Sequence, residues 1–227
     1  AGLDRRRFDP YVLCLRHTGP YERMLREAGV PVAVLGQERK LSPSLYFRLR
    51  AMLRQLRPQI LHTWLFTSHA YGRLAGLAEK VSVLVAGERC VDLWKTPLHW
   101  MIDRRLAYAT DAIAANTDAT LDHLRGKGVI APTMVSIPNA LPPADTFAVP
   151  DRRPNTDRDF LAVARLHEQK DLPTLLAAFA ALAHERPGLK LAIAGEGPER
   201  ERLEAQAARL GLSDSVAFLG HRTDVAD

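Results

Sequence analysis

The sequence predicts an α/β protein of two domains, each a parallel sheet flanked by helices. Three observations carry this. Short apolar runs of strand length alternate with amphipathic stretches of helix length along nearly the whole chain, the pattern of a parallel sheet with helices on both faces. From Phe160 to Gly220 the unit strand–loop–helix repeats, with cations and glycines at the strand ends. Between these regions, Asn139 to Arg158 carries Pro142, Pro143, Pro150 and Pro154 among polar residues, the composition of an interdomain linker. The boundaries follow as a first domain over 1–140, a linker over 141–158 and a second domain over 159–227.

In chain order, Tyr11 to Leu15 reads as a buried strand, and a helix from about Pro20 to Ala28 ends at Gly29. Val30 to Leu35 is the next strand. A helix from Ser42 to Leu56 sets Leu45, Leu49, Met52, Leu53 and Leu56 on one face and Arg48, Arg50, Arg54 and Arg57 on the other, and Pro58 stops it. Gln59 to His62 is a strand, Ser68 to Ala78 a helix, and Val81 to Ala86 a strand running into a loop at Gly87-Glu88-Arg89-Cys90. Thr96 to Tyr108 is helical, Ala112 to Ala115 a strand, Asp118 to Lys127 a helix and Val135 to Ile137 a strand. In the second domain, Phe160 to Ala164, Leu189 to Ala194 and Val216 to Leu219 are strands, with a helix after each of the first two.

Open parallel sheets bind ligands beyond the carboxyl ends of their strands. The run from Phe160 ends in Arg165, with Lys170 five positions later; the next ends in Gly195-Glu196-Gly197-Pro198 and opens a helix; the third ends in Gly220. Arg165, Lys170 and the glycine loop therefore point at one crevice, whose chemistry suits a phosphorylated ligand.

Those residues also carry a family resemblance. Arg165-x4-Lys170, Asp171-Leu172-x-Thr174-Leu175-Leu176, Gly195-x-Gly197-Pro198 and Phe218-Leu219-Gly220 resemble the donor half of a family 4 retaining glycosyltransferase of the GT-B fold. Upstream the resemblance includes Ile60-Leu61-His62, Ala115-Asn116 and Val135-Ser136-Ile137-Pro138-Asn139. It implies two Rossmann-like domains facing each other across a cleft, the first for the acceptor and the second for the donor, both truncated. A first strand with its glycine-rich loop is expected ahead of Ala1, and a Glu-x7-Glu segment that holds the donor is expected beyond Asp227. Residues 1–227 alone are therefore expected to be inactive.

The implied reaction moves a sugar, of hexosyl type, from a nucleotide diphosphate sugar to a glycan or lipid-linked acceptor, with retention and without a metal or other cofactor. Arg165 and Lys170 would hold the donor diphosphate, where a fixed cation pair stabilises charge that builds as the bond breaks. Gly195, Glu196 and Gly197 form the donor-side loop; Glu196 either reaches the sugar or faces solvent. Leu219, Gly220 and His221 would lie against the base, His221 stacking there or standing as a solvated loop histidine. On the acceptor side, His62 is followed by Trp64 where many members have a second histidine, which favours a structural, hydrogen-bonded His62. Arg89 either orients the sugar or an acceptor phosphate with Glu88 as its partner, or the two form a surface ion pair. Asn116 lines the cleft or satisfies a loop backbone, and Asn139 is a hinge. The rival readings are a nucleotide-sugar epimerase of the same fold and a non-catalytic nucleotide-sugar-binding protein or decayed fragment.

Bulk properties narrow the field. The net charge is +5, the pI about 9.5 and the hydrophobic share 47%, enough for a substantial core. No apolar run approaches the ~20 residues of a membrane span. Cys14 and Cys90 stand far apart with no metal-ligand spacing, and are expected to be partly buried thiols of a cytoplasmic protein. The basic residues are dispersed and no nucleic-acid-binding motif is present, which argues against a nucleic-acid partner. The arginine face of the Ser42–Leu56 helix is either a solvated side or a peripheral contact with an anionic membrane at the inner face of the plasma membrane.

Overall fold

The computed structural model describes residues 3–36, 42–140 and 159–222. The chain divides into two units, Ala1–Ala140 and Leu141–Asp227. The expected linker over 141–158 lies outside the described residues.

In the first unit, strands β1 (Val12–Cys14) and β2 (Val32–Val34) form a parallel pair, with helix α1 (Glu22–Glu27) between them in sequence. Helix α2 (Pro43–Leu56) begins where Ser42 Oγ accepts the Leu45 N–H at 3.3 Å, with Pro43 at the first helical position, where a missing N–H costs nothing. Its inward stripe is the expected one: Leu45, Leu49 and Leu53 are buried and pack with Leu13, Leu15, Leu35, Leu61 and Tyr71. A four-stranded sheet, all parallel, follows in the order β3 (Ile60–Trp64), β4 (Val83–Glu88), β5 (Ala112–Ala115), β6 (Thr133–Ser136). Helices α3 (Phe66–Ala78), α4 (Pro97–Ala107) and α5 (Asp118–Gly126) connect its strands.

Strand alternation sorts this sheet into two faces. Leu61, Thr63, Leu84, Ala86, Ile113 and Ala115 point at the helices. Gly72 and Gly76 let α3 settle onto Thr63, Leu61 and Leu84, since a methyl on Gly72 would meet Thr63 at 2.5 Å and one on Gly76 would meet Leu84 at 2.6 Å and Leu61 at 3.0 Å. Ala86, Ile113 and Ala115 join Trp100, Leu121, Leu124 and Val129 in a second core. The alternate residues Ile60, His62, Trp64, Val83 and Val135 are exposed. Among the described residues, this sheet thus has helices over one face, not the expected two.

The second unit has three parallel strands in the order β7 (Phe160–Val163), β8 (Leu191–Ala194), β9 (Val216–Gly220), joined by α6 (Leu172–Glu185) and α7 (Arg200–Arg209). Every residue of β8 is buried, as a central strand requires. Its core gathers Leu166, Leu172, Leu176, Phe179, Leu191, Ile193, Leu203 and Leu212. No helix among the described residues is long and apolar enough to cross a membrane.

Candidate functional site

Because β7, β8 and β9 are parallel, their carboxyl ends share one edge. Pairing continues past β7 as the Ala164 N–H donates to Ala194 O at 3.0 Å, and past β8 as the Gly195 N–H donates to Gly220 O at 2.8 Å. The turn after β8 is fastened to the loop after β7: the Leu166 N–H donates to Glu196 O at 2.9 Å and the Glu199 N–H to Leu166 O at 3.1 Å. Two glycines make this approach possible. Gly195 has φ 146°, and a Cβ there would overlap the Ala164 carbonyl; a Cβ on Gly197 would overlap the Leu166 carbonyl. Their first duty is therefore to admit protein backbone. Leu166, wholly buried beneath, anchors this junction, a role that its sequence context does not reveal.

Arg165 directly precedes that anchor in the chain. Lys170 closes a single 3-10 turn, Glu168–Lys170, after which Asp171 turns left-handed at φ 46° and Thr174 Oγ1 donates to Asp171 Oδ1 at 3.0 Å. Arg165 and Lys170 are exposed, and among the described residues neither side chain has a hydrogen-bond or ion-pair partner. Glu196 turns towards the end of β9, where its Oε1 accepts the His221 N–H at 3.4 Å. Leu219 and His221 are exposed at the same edge. The structure thus brings the predicted donor-side residues, Arg165, Lys170, Gly195, Glu196, Gly197, Leu219, Gly220 and His221, to the loops at one end of one sheet.

In the first unit the carboxyl ends of β3, β4 and β5 hold His62, Glu88, Arg89 and Asn116. Three expectations need correction here. Gly87 and Glu88 are strand residues, paired with Trp64 and Ala115 respectively, not loop residues. Glu88 does not pair with Arg89: alternation sends Glu88 into the helix side, where it is buried, while the Arg89 guanidinium lies over the Trp64 ring at 5.2 Å. His62 is not hydrogen-bonded among the described residues; it is exposed and stacks on Trp64 with ring centres 4.2 Å apart. Partial desolvation, and then the Arg89 charge, lower its pKa from the usual histidine value. Asn116 is half-buried, and its Oδ1, out of contact with solvent, has no hydrogen-bond donor among the described residues. The expectation for the thiols also fails at Cys90, which is exposed.

Beneath this edge lies a polar cluster that sequence reading missed. Arg73 Nη2 donates to Asp103 Oδ1 at 2.7 Å, and both side chains are 2% exposed. Lys95 Nζ, wholly buried, lies 3.0 Å from Asp103 Oδ2, 3.1 Å from Asp92 and 3.8 Å from Glu88, over the Trp100 ring at 4.8 Å. His69, also wholly buried, faces Thr63 Oγ1 at 2.8 Å and Glu88 Oε1 at 3.5 Å. Burial above all pushes the Glu88 carboxyl up to about 7, with Lys95 opposing and Asp103 and Asp92 adding; burial likewise pushes His69 down to about 3, with Arg73 and Lys95 adding. The signal for this cluster was His69, Gly72, Arg73 and Gly76, one face of a helix whose two glycines mark it as the packed one.

Parallel sheets with basic groups and glycine turns at their carboxyl ends place the chain among the open α/β proteins, whose ligands bind beyond those strand ends. Comparison with known proteins makes this specific. The family model for Glycosyltransferase Family 4 matches residues 1–145, and that for Glycosyl transferases group 1 matches residues 145–227. The chain belongs to glycosyltransferase family 4. It superposes on HepE of Anabaena, solved in complex with UDP and glucose, with a TM-score of 0.75, 19% identity, and coverage of 95% of this chain and 62% of that one. A glycosyltransferase of Rickettsia africae gives a TM-score of 0.76 at 13% identity, covering 97% and 62%. These likenesses establish the GT-B type of fold. An exopolysaccharide phosphotransferase of Streptomyces coelicolor is 36% identical over 115 residues, 50% of this chain and 12% of that protein. One subunit of the human phosphatidylinositol N-acetylglucosaminyltransferase is 36% identical over 95 residues, 41% and 19% of the two chains. The alpha-monoglucosyldiacylglycerol synthase of Streptococcus pneumoniae is 36% identical over 64 residues, 28% and 14%. The matched stretches are thus a minor part of each curated relative.

Proposed function

We propose that the whole protein transfers a sugar from a nucleotide diphosphate sugar to a lipid-linked or glycan acceptor, retaining the configuration at the anomeric carbon and needing no divalent metal. The observation that carries this is a pair of exposed cations, Arg165 and Lys170, without partners among the described residues, at the carboxyl end of β7 beside the Gly195–Pro198 turn. The buried cations Arg73 and Lys95 are already engaged by carboxylates, whereas these two are free to meet an anionic ligand.

Departure of the nucleoside diphosphate puts negative charge on the bridging phosphate oxygen. Arg165 offers a planar fork for two phosphate oxygens and Lys170 a compact charge. Their attraction grows as the bond breaks, which lowers the barrier rather than merely tightening binding. Retention would come from attack on the face the leaving diphosphate vacates, with that phosphate accepting the acceptor's proton, so no enzyme carboxylate serves as nucleophile.

For the acceptor, two of the curated relatives are lipid glycosyltransferases by name, which favours a lipid-linked molecule. His62, Trp64 and Arg89 are the exposed groups of the first unit available to it. The arginine face of α2 gives less to a membrane than its composition suggests. Arg50 and Arg54 both bind Glu79, at 2.7 and 2.9 Å, and Arg48 Nη2 donates to Gly36 O at 3.4 Å, which leaves Arg57 and the remaining donors of Arg48 for anionic lipid.

The test is a screen of the full-length protein with nucleotide sugars, with and without diacylglycerol- and phosphatidylinositol-type acceptors. Acceptor-dependent release of nucleoside diphosphate, lost in Arg165→Ala and Lys170→Ala, is the expected outcome. Turnover of the nucleotide sugar that ignores every acceptor would contradict it.

A further inference from the structure

The first unit carries an apolar surface that its cores do not use. Leu93, Trp94, Leu98, Met101 and Tyr108 are all exposed, from 47% at Met101 to 86% at Leu93. Single apolar side chains on a surface are ordinary, but these belong together. Leu98, Met101, Arg105 and Tyr108 recur at helical spacing along α4 and its C-cap, on the face opposite the buried Trp100, Asp103 and Ala107. Leu93 and Trp94 lead into the same helix, and the Trp94 ring meets His99 and Phe66 edge-on, with centroids 5.2 and 5.9 Å away. The Trp94 Nε1–H donates to Asp92 Oδ1 at 3.1 Å, and Lys95 Nζ holds Asp92 Oδ2 at 3.1 Å. The one polar atom of Trp94 is thus engaged within the protein, and the ring is fixed before anything covers it, which lowers the entropy cost of covering.

Charge decides what fits this surface. Arg104 and Arg105 are exposed on α4, without hydrogen-bond or ion-pair partners among the described residues. The one acid of α4, Asp103, is turned inward to Arg73 and Lys95. A cavity of about 480 Å³ lined by Pro97, Trp100, Arg104, Gly126, Lys127 and Gly128 adjoins the helix, with Lys127 Nζ 5.8 Å over the Trp100 ring. Two cations therefore stand at one opening with room for a phosphate group. A small anion would satisfy these cations and leave Leu93, Leu98 and Met101 in water. A purely apolar partner would strip water from the arginines and return nothing. A second copy of the same face would set like charges against each other. An anionic bilayer meets both demands, since apolar and aromatic side chains enter at the headgroup level while long basic ones reach the phosphates.

We propose that the outer face of α4, with Leu93 and Trp94, docks on an anionic lipid bilayer, with Arg104, Arg105 and Lys127 meeting headgroup phosphates. The principal membrane contact is then α4 and not the arginine face of α2, where Arg50 and Arg54 are bound to Glu79. The chain runs from Arg89 to Trp94 in five residues, so the docked face adjoins the acceptor-side groups. That consequence rests on the lipid-linked-acceptor reading given above; the docking itself stands on the first unit.

The experiment needs no nucleotide sugar, so its failure is distinct from failure of the transferase reading. Full-length protein is sedimented with vesicles of phosphatidylcholine, with and without phosphatidylglycerol. Wild type should bind the mixed vesicles about tenfold or more tightly than the neutral ones. Leu98→Glu with Met101→Glu should weaken that binding by about tenfold or more. Arg104→Gln with Arg105→Gln should remove most of the preference for phosphatidylglycerol, and Arg48→Gln with Arg57→Gln on α2 should leave it nearly intact. Absence of binding by wild type, or binding that survives both α4 variants, overturns the proposal. Should an α4 variant not fold, vesicles brominated along the acyl chains decide. Quenching of tryptophan fluorescence in wild type that is reduced in Trp94→Phe supports the docking; equal quenching in the two proteins, or none in either, ends it.

Discussion

The Arg89 guanidinium lies 5.2 Å over the ring of Trp64, and sheet register brings the two together. Trp64 is paired with Gly87 on the neighbouring strand, two residues before Arg89 and on the same open face of the sheet. Gly87 has no side chain to lift the ring, so Trp64 packs close against it, in contact with both the His62 ring and the Arg89 guanidinium. A methyl on Gly87 would meet Trp64 ring carbons at 2.5 Å and His62 Nε2 at 2.8 Å.

Gly87→Ala is therefore expected to displace an exposed stack rather than break the sheet, at a cost of about 1 kcal/mol. In a Trp64→Ala background most of that cost should vanish. Unfolding free energies around this double-mutant cycle measure it. An equal cost in both backgrounds would show that Gly87 answers to something other than the stack.

Gly195 differs, because its neighbour is backbone. A Cβ there overlaps the Ala164 carbonyl, and φ 146° is closed to other residues. Gly195→Ala should cost about 3 kcal/mol or more and expose amides of β7, β8 and β9 to exchange while β3 to β6 stay protected. A variant with native stability would mean that the turn can be rebuilt without its contact to Ala164.

Asp103 is the hinge of the buried charges, bonded to Arg73 by one oxygen and close to Lys95 by the other. Asp103→Asn leaves two buried cations with too little negative charge, and chemical denaturation should show a loss of about 3–5 kcal/mol. A loss under about 1 kcal/mol would mean that water reaches these groups.

The Glu88 and His69 shifts have opposite signs and compensate. The folded protein keeps a proton on Glu88 up to about 7, against an ordinary value of 4.5, and His69 neutral down to about 3, against 6.5. Between about 4.5 and 6.5 the folded cluster holds one proton on Glu88, and the unfolded chain holds one on His69. No net proton is exchanged, and this pair leaves stability flat with pH. Glu88→Gln removes the part that falls as pH rises and exposes the part of His69 that rises. Relative to wild type, the variant should gain stability as pH goes from about 4.5 to 7, on the order of 3 kcal/mol for a shift of that size. Denaturation midpoints across that range check it, and parallel curves for the two proteins would refute the compensation.

Much of the fold is legible in the sequence because strand and helix order rests on local pattern. Ser42, Pro43 and the leucine stripe mark α2 to within a residue, and Gly195 and Gly220 mark strand ends. Gly87-Glu88 reads as loop because a glycine followed by an acid is turn chemistry. Only the neighbouring strands and the buried cations make it the end of β4. The cluster of His69, Arg73, Lys95 and Asp103 is hidden for a related reason. Charged side chains are ordinarily solvated, and their pairing here spans up to thirty positions in sequence, from Arg73 to Asp103. Arg50 and Arg54 mislead in the same way, since Glu79 lies on another helix end. The donor-side cations, by contrast, are readable because their meaning depends only on a strand ending where they begin.

The most direct test of the central claim is Lys170→Ala in the full-length protein. Lys170 is exposed and has no partner among the described residues, so thermal stability should be unchanged within experimental error. Transfer from the nucleotide sugar should fall by about 100- to 1,000-fold, the scale of removing one charge-stabilising group from a transition state. A variant that transfers sugar at the wild-type rate would contradict the assignment of Lys170 to the leaving diphosphate.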